Sequence, residues 1–261
     1  MLTTSISYRL IANDIDRSLE TTAKQPMVAR ETAYYLENIG KVKSIKDFLA
    51  DDRLFKYAMK AHGLGEMDYA KAFVRKALTE GIDDDGSFAN RLSDKRYRDF
   101  VATFNFARYG EDATVFQVTQ QGTVDKYMRQ TLEENAGAQN EGVRLALYFA
   151  RKAPNVKNAY EILADPALQR VVYTILGMPS TMAGADIDKQ AKAIQDRIKI
   201  EDFSEPEKLQ KLVQRFTTMW EVTEGPTVSQ PTNALLIGQQ SRAGLTLSLL
   251  TSLQKFRIGG R

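Results

Sequence analysis

Cysteine is absent from this sequence, and histidine and tryptophan each occur once, as His62 and Trp220. Without cysteine the chain has no disulfide, no thiolate nucleophile and no cysteine-ligated metal site. One imidazole is too few for the common zinc sites, and His62 is the only base available to a serine triad. His62 precedes Gly63, a glycine suited to a helix end, where a cation stabilises the exposed carbonyls. We therefore expect a structural histidine, no catalytic residue, no metal and no cofactor.

Three other candidate motifs are incomplete. The turn at residues 83–86, DDDG, lacks the first carboxylate and the terminal glutamate of a calcium loop. Glu133 and Glu134 are adjacent, so on a helix they point about 100° apart rather than facing each other across a cleft. The glycines of residues 63–65, GLG, lack the third glycine and the preceding strand of a dinucleotide site. These patterns predict structural turns and helix faces.

Long apolar runs and an excess of one charge are also missing. No segment approaches the roughly 20 apolar residues of a membrane span; the longest candidate, residues 245–253, is interrupted by threonine and serine. The 36 basic and 33 acidic residues are interspersed and leave a net charge of +3, which argues against nucleic acid as a partner. The first residues lack the basic and apolar regions of a Sec signal peptide, so we expect no Sec export.

The chain does contain an internal repeat. Residues 30–64 align without a gap to residues 144–178, at a constant offset of 114 residues. The identical pairs are Arg30/Arg144, Tyr34/Tyr148, Val42/Val156, Lys43/Lys157, Leu49/Leu163, Ala50/Ala164, Asp51/Asp165, Leu54/Leu168 and Gly63/Gly177. Self-similarity at a fixed offset is typical of a duplicated structural unit.

Helical periodicity and helix-start signals define these units. Apolar residues recur at i, i+3, i+4 and i+7 in both halves. Ser44, Asp51 and Asp165 precede such runs, as capping residues do, and Gly63 and Gly177 follow them. We expect an all-α protein with two duplicated four-helix units packed together. The expected divisions are an N-terminal helix at 1–29, unit 1 at 30–106, a connecting helix and loops at 107–143, unit 2 at 144–221 and a C-terminal apolar segment at 222–261.

The repeat also predicts which side chains form the core. Equivalent positions of the two units should be buried together because they occupy the same faces of equivalent helices. The predicted buried residues are Leu54, Tyr57 and Ala58 in unit 1, Leu168, Val171 and Val172 in unit 2, and Trp220.

Residues 87–100, SFANRLSDKRYRDF, resemble a motif of the bacterial family known as domain of unknown function 1217. The tripeptide LAD at residues 49–51 and a weaker second copy after Val156 extend the resemblance over roughly residues 5–256. Members are helical proteins, many of them encoded among flagellar rod, hook and basal-body genes. The resemblance implies a non-enzymatic structural or interaction protein of flagellum assembly or motility. It also implies that the protein is located in the cytoplasm or at the flagellum. Its expected partners are proteins, flagellar components among them, and the resemblance does not indicate an oligomeric state.

The motif itself has two interpretations. In the first, Phe88 and Leu92 pack on Tyr97 and Phe100 across the helix start at Asp94, so the motif is structural. In the second, its four cations form a docking edge for a protein. These cations are Arg91, Lys95, Arg96 and Arg98. Residues 200–209 of unit 2 have no equivalent motif, so only unit 1 would carry such an edge.

Apolar stripes near both termini are the other candidate sites. One stripe comprises Tyr8, Ile11, Ile15 and Leu19, and the other includes Leu245, Leu249 and Leu253. They form either an assembly surface, resembling the paired terminal helices of flagellar axial proteins, or part of the core. The alternative to an interaction protein is an enzyme or small-ligand binder whose site lies in the groove between the two units.

Overall fold

The computed structural model describes residues 2–224, and all regular secondary structure in this range is helical, without strands. The all-α prediction is confirmed. The α-helices are α1 Thr4–Ala12, α2 Ile15–Ala23, α3 Pro26–Ile39, α4 Ile45–Ala50, α5 Asp52–Ala61, α6 Lys71–Glu80, α7 Phe88–Arg91, α8 Lys95–Thr103, α9 Phe106–Tyr109, α10 Gln121–Gln139, α11 Glu141–Lys152, α12 Ala159–Ala164, α13 Pro166–Leu176, α14 Ile187–Gln195 and α15 Pro206–Thr223. Short 3-10 turns connect several of them, at Gly65–Met67, Gly110–Asp112, Ala153–Asn155, Ser180–Gly184 and Ile200–Ser204.

The predicted capping residues start the helices as expected. One carboxylate oxygen of Asp51 accepts the backbone N–H groups of Arg53 and Leu54, each at 3.0 Å. Asp165 accepts the N–H groups two and three residues after it in the same way, at 2.9 and 3.1 Å. Each aspartate thus satisfies two donors that the first turn of a helix leaves unpaired.

A tyrosine from the preceding long helix reaches each of these caps. Tyr34 of α3 donates its hydroxyl to Asp51 at 2.8 Å, and Tyr148 of α11 donates its hydroxyl to Asp165 at 2.6 Å. The contact ties the first helix of each repeat to the start of α5 or α13. It explains why the tyrosines and the aspartates are both identical in the two halves.

The helix boundaries also repeat. The first and last residues of α12 lie 114 positions after those of α4, and α13 likewise starts 114 positions after α5. Gly63 and Gly177 follow α5 and α13 with φ of 72° and 62°, a conformation that glycine adopts without steric cost. The range 30–106 spans α3 to α8 and the range 144–221 spans α11 to α15, so each range holds more than the four helices expected. Superposition of the two ranges remains the test of the duplication.

Among the described residues two large hydrophobic cores form, and a small third cluster joins Ala136 of α10 to Val143 and Leu147 of α11. The first is built from residues 28–127 and the second from residues 145–220. All of the predicted core residues are buried: Leu54, Tyr57, Ala58, Leu168, Val171, Val172 and Trp220.

The long helix α10 links the two cores. It packs against α5 of the first repeat and α11 of the second. The range 1–29, expected to hold one N-terminal helix, contains α1, α2 and the start of α3. Helix α1 packs on α11 and α2 on α10, so the N-terminal helices lie beside the junction between the repeats.

Candidate interaction surfaces

The N-terminal stripe is partly buried along its whole length. Tyr8 and Ile11 pack against Ala136, Val143 and Leu147 of α10 and α11. Ile15 and Leu19 on α2 are also partly buried, on the helix that packs against α10. These contacts favour the interpretation that the stripe belongs to the core over the interpretation that it is a free assembly surface.

The opposite face of α1 is the exposed one. Leu2, Ile6 and Leu10 are 58%, 46% and 63% exposed. Ile6 and Leu10 are four residues apart and therefore lie on one side of α1, and Leu2 precedes the helix. We call these three residues the N-terminal apolar face. The sequence pattern did not single it out because both faces of α1 carry apolar residues, and only the packing shows which of them is covered.

Polar contacts fix the position of α1. Thr4 is fully buried, and its backbone N–H and its hydroxyl both donate to Glu221 of α15, at 2.9 and 2.6 Å. The amide of Asn140 donates to the same hydroxyl at 3.0 Å. Because hydrogen bonds to a carboxylate are among the strong ones, these contacts hold α1 at the end of α15.

An open groove of about 450 Å³ lies between the α1–α2 hairpin and α10. Leu10 and Ile11 lie at its apolar part, and hydroxyl and amide side chains form much of the rest. Its lining includes Asp14, Arg17, Ser18, Thr21, Gln25 and Asn135. A smaller cavity of about 150 Å³ lies beside Tyr57 and Tyr127, whose rings stack 3.8 Å apart. Neither cavity lies between the two repeat units, where the alternative hypothesis placed a ligand.

The predicted docking edge has three exposed cations, not four. Arg91, Lys95 and Arg98 are exposed. Arg96 instead turns inward, where it pairs with Asp94 at 2.7 Å and donates to the carbonyl of Gly63. Burial raises the pKa of Asp94, but the hydrogen bonds from Arg96 outweigh it and bring this pKa below its ordinary value. Arg96 therefore joins the start of α8 to the end of α5.

The packing around the motif supports its structural interpretation. Asn90 donates to the carbonyls of Ile82 and Asp84, at 2.9 and 2.8 Å, and so closes the acidic turn. The ring of Phe73 contacts Phe88 and Tyr97, at centroid distances of 4.7 and 4.9 Å. The expected pairing of Phe88 with Tyr97 is thus mediated by Phe73, a residue of α6 that sequence spacing did not connect with the motif.

Contacts with protein groups hold the acidic turn. Asp84 accepts the backbone N–H of Gly86 at 2.8 Å, and Asp83 pairs with Arg108 at 2.9 Å. Among residues 2–224, no group of three or more histidine, aspartate or glutamate side chains is arranged to hold a metal ion.

His62 ends α5 in a structural position, but not as a cation. Its Nδ1 lies 3.2 Å from the carbonyl of Ala58, and its Nε2 lies 3.0 Å from Nζ of Lys126. Burial lowers the pKa of His62 well below 6.5, and the charges of Lys126 and Lys152 lower it further. The imidazole is therefore neutral, and the expectation of a cation at this helix end is corrected.

The adjacent acids Glu133 and Glu134 have separate environments. Glu133 is 1% exposed and accepts two hydrogen bonds from Arg151, each at 2.7 Å, and one from Arg129 at 3.1 Å. Glu134 is exposed and pairs with Lys60 at 2.8 Å. As expected from their spacing, the two carboxylates do not face each other, and Glu133 ties α10 to α11.

The C-terminal candidates, Leu245, Leu249 and Leu253, lie outside the described residues. Within residues 2–224, no helix combines the length and the apolar character that crossing a bilayer requires.

Comparison with known proteins identifies the family. The chain is similar to the protein AGR_C_984 of Agrobacterium tumefaciens, known from an X-ray crystal structure, with 53% sequence identity and a TM-score of 0.79. The similarity covers 85% of this chain and 94% of that one. No curated protein matches this chain. Residues 61–209 match the model of the family described as "Protein of unknown function (DUF1217)", and the chain belongs to this family.

Proposed function

We propose that the protein is a non-enzymatic structural or interaction protein of bacterial flagellum assembly or motility. The N-terminal apolar face carries the interaction part of this proposal. Two large apolar side chains, Ile6 and Leu10, stand exposed on a helix that polar contacts of buried Thr4 hold in place next to an open groove, and exposed Leu2 precedes this helix. Contiguous exposed apolar surface on a globular protein commonly marks a protein-binding site. The flagellar part is supported by the genomic setting of the family that residues 87–100 resemble.

The chemistry of the polar groups supports a binding role rather than catalysis. The imidazole of His62 accepts a hydrogen bond from Lys126. The rings of Phe100 and Phe104 lie beside it, at centroid distances of 5.3 and 5.9 Å. The buried carboxylate of Glu133 is neutralised by two arginines. Groups with these structural partners are not available to exchange protons with a substrate.

A gene deletion with matched complementation tests the flagellar proposal. We expect cells lacking the gene to lose swimming in soft agar and the wild-type gene to restore it. The double variant Ile6→Ser/Leu10→Ser should fail to restore swimming although it folds. Ile187→Ser, which removes an apolar side chain of similar exposure on α14, should restore it. Normal swimming of the deletion strain would contradict the proposal.

Thermal melts separate this proposal from the small-ligand alternative. A ligand that binds the folded state raises the melting temperature in a concentration-dependent way. We expect no rise with magnesium, calcium, zinc or nucleoside triphosphates. A rise of several degrees at micromolar ligand would favour the alternative instead.

A further inference from the structure

The loop between α9 and α10 has an inverted polarity. Its threonines Thr114 and Thr119 are fully buried together with the small residue Ala113, whereas the larger apolar residues Val115, Phe116 and Val118 are 45%, 40% and 48% exposed. Tyr109, at the end of α9, is 44% exposed and contacts Phe116 edge to face at 4.9 Å. A loop whose apolar residues were only filling space would place them inward and its hydroxyls outward. We call Tyr109, Val115, Phe116 and Val118 the 109–118 patch.

Hydrogen bonds from the buried face hold the loop in this orientation. Thr114 donates its hydroxyl to the carbonyl of Val42 at 2.8 Å. The carbonyl of Thr119 accepts the hydroxyl of buried Tyr35 at 2.6 Å. Each buried polar group therefore has a partner, and turning the loop over would leave these groups unpaired at a cost of about 1–3 kcal/mol each. The exposure of the patch is thus fixed by the fold.

More contacts close the loop on itself. Thr119 donates its hydroxyl to the carbonyl of Phe116 at 2.7 Å, and Thr123, also fully buried, donates to the carbonyl of Val118 at 3.3 Å. Gln120 donates to the carbonyl of Thr114 at 3.3 Å. Because the backbone of the loop is bonded at these points, the patch is ordered before any partner arrives, which lowers the entropic cost of binding.

Unpaired acidic residues border the patch. Glu111 and Asp112 are exposed and make no ion pair or side-chain hydrogen bond with residues of the range 2–224. Arg108, the cation next to the patch, is already paired with Asp83 at 2.9 Å. Of the two lysines that flank Val42, the loop's anchoring point, Lys41 pairs with Glu37 at 3.9 Å, which leaves Lys43 against these two carboxylates. The charge at the rim is therefore complementary to a basic partner.

We propose that the 109–118 patch is a docking surface for a basic amphipathic segment of a partner protein. The apolar side chains of that segment would cover Phe116, Val115 and Val118, and its lysines or arginines would pair with Glu111 and Asp112. Recognition of an amphipathic helix by an apolar surface with charges at its rim is a recurring mode of peptide binding. This inference rests on the proposed function only in that both require a protein partner.

Peptide binding to the full chain tests the chemistry of the occupant. The probe is an 18-residue synthetic helix with leucines on one face and lysines beside them, and its control has every lysine replaced by glutamate. We expect the lysine peptide to bind and the glutamate peptide not to bind. Val115→Thr/Val118→Thr, which removes apolar surface at nearly constant volume, should weaken binding about tenfold or more, as should Glu111→Lys/Asp112→Lys. Ile6→Ser/Leu10→Ser should bind like the wild type.

Three results of the peptide experiment would overturn the proposal. They are absence of binding by the lysine peptide, equal binding of the two peptides, and unchanged binding by the patch variants while circular dichroism shows them folded. Analytical sedimentation of the protein at increasing concentration tests whether a second copy of this chain occupies the patch instead. Self-association that Val115→Thr/Val118→Thr abolishes would make a second copy of this chain the occupant.

A photo-crosslinker in the native cell tests the natural occupant. Benzoylphenylalanine replaces Phe116 in one strain and Tyr69, an aromatic residue that is 76% exposed, in a control strain. We expect a crosslink specific to position 116, and mass spectrometry should place it in a basic amphipathic segment. An acidic or non-amphipathic segment, or no specific crosslink, would contradict the inference. Normal swimming of the deletion strain together with the expected crosslink would refute the flagellar proposal alone.

Discussion

Lys126 donates a hydrogen bond from Nζ to Nε2 of His62 over 3.0 Å. An ammonium group can only donate, so Nε2 is the acceptor and the ring proton lies on Nδ1, next to the carbonyl of Ala58. Lys126 also donates to the hydroxyl of Thr103 at 3.1 Å, and burial lowers its own pKa. The neutral imidazole thus serves as a partner for a partly buried lysine, joining α5 to α10.

This arrangement makes stability depend on pH below neutrality. The pKa of His62 is lowered in the folded state, so between that value and 6.5 the unfolded chain binds the proton and the folded chain does not. The free energy of unfolding is unaffected by His62 above 6.5 and falls as the pH drops below it, by up to about 1.4 kcal/mol per pH unit. Urea titrations of the wild type and of His62→Gln at pH 7 and pH 5 measure this effect.

The variant His62→Gln keeps a hydrogen-bond acceptor for Lys126 but cannot titrate. We expect the wild type to lose more stability than the variant between the two pH values, because the carboxylates contribute equally to both proteins. Equal losses of stability in the wild type and the variant would contradict this expectation, because they would mean that folding does not lower the pKa of His62.

Local signals predicted most of the helices. The capping roles of Ser44, Asp51 and Asp165 are confirmed because a cap bonds to backbone groups two or three residues away, a distance within reach of sequence reasoning. The roles of Tyr34 and Tyr148 were missed. Their identity in the two halves was visible, but the partner of each lies 17 residues away and depends on how the helices pack.

The candidate sites were less predictable, for the same reason. Charge alone placed Arg96 with the exposed cations, whereas its partners are Asp94 and the carbonyl of Gly63, which lies 33 residues away. The 109–118 patch was also missed. A short run of valine, phenylalanine and threonine indicates buried apolar residues, and only the threonine hydrogen bonds show that the polarity is reversed.

Glu133 should be far more important for stability than its neighbour Glu134. Glu133→Ala leaves Arg129 and Arg151 without their shared carboxylate. We expect a loss of roughly 2–4 kcal/mol, below the full cost of breaking a buried ion pair because both arginines are partly exposed. Glu134→Ala removes a surface ion pair with Lys60 and should cost less than about 1 kcal/mol. Chemical denaturation measures both variants, and equal losses would contradict the structural role of Glu133.

The two tyrosine–aspartate contacts should have equal energies. Asp51→Ala and Asp165→Ala each remove a helix cap, at about 1 kcal/mol, and leave a tyrosine hydroxyl without its acceptor. Asp186→Ala is the control, since Asp186 caps α14 through backbone N–H groups alone. We expect similar losses for the first two variants and a smaller loss for the third. A double-mutant cycle with Tyr34→Phe or Tyr148→Phe isolates the contact, and clearly different coupling energies in the two halves would show that the contacts are not equivalent.

Gly142 is required by the packing of Trp220, the only tryptophan of the chain. A Cβ at position 142 would lie 2.8 Å from Cγ of Trp220 and closer still to the edge of the indole, so Gly142→Ala must displace the ring. We expect a loss of about 1–3 kcal/mol, the usual cost of overpacking a core. The tryptophan emission should shift as well, because Trp220 leaves its buried position between Phe216 and the guanidinium of Arg170. Gly184→Ala is the control, since its Cβ would contact nothing within 4 Å. Unchanged emission and stability in Gly142→Ala would mean that the contact between α11 and α15 is looser than the structure shows.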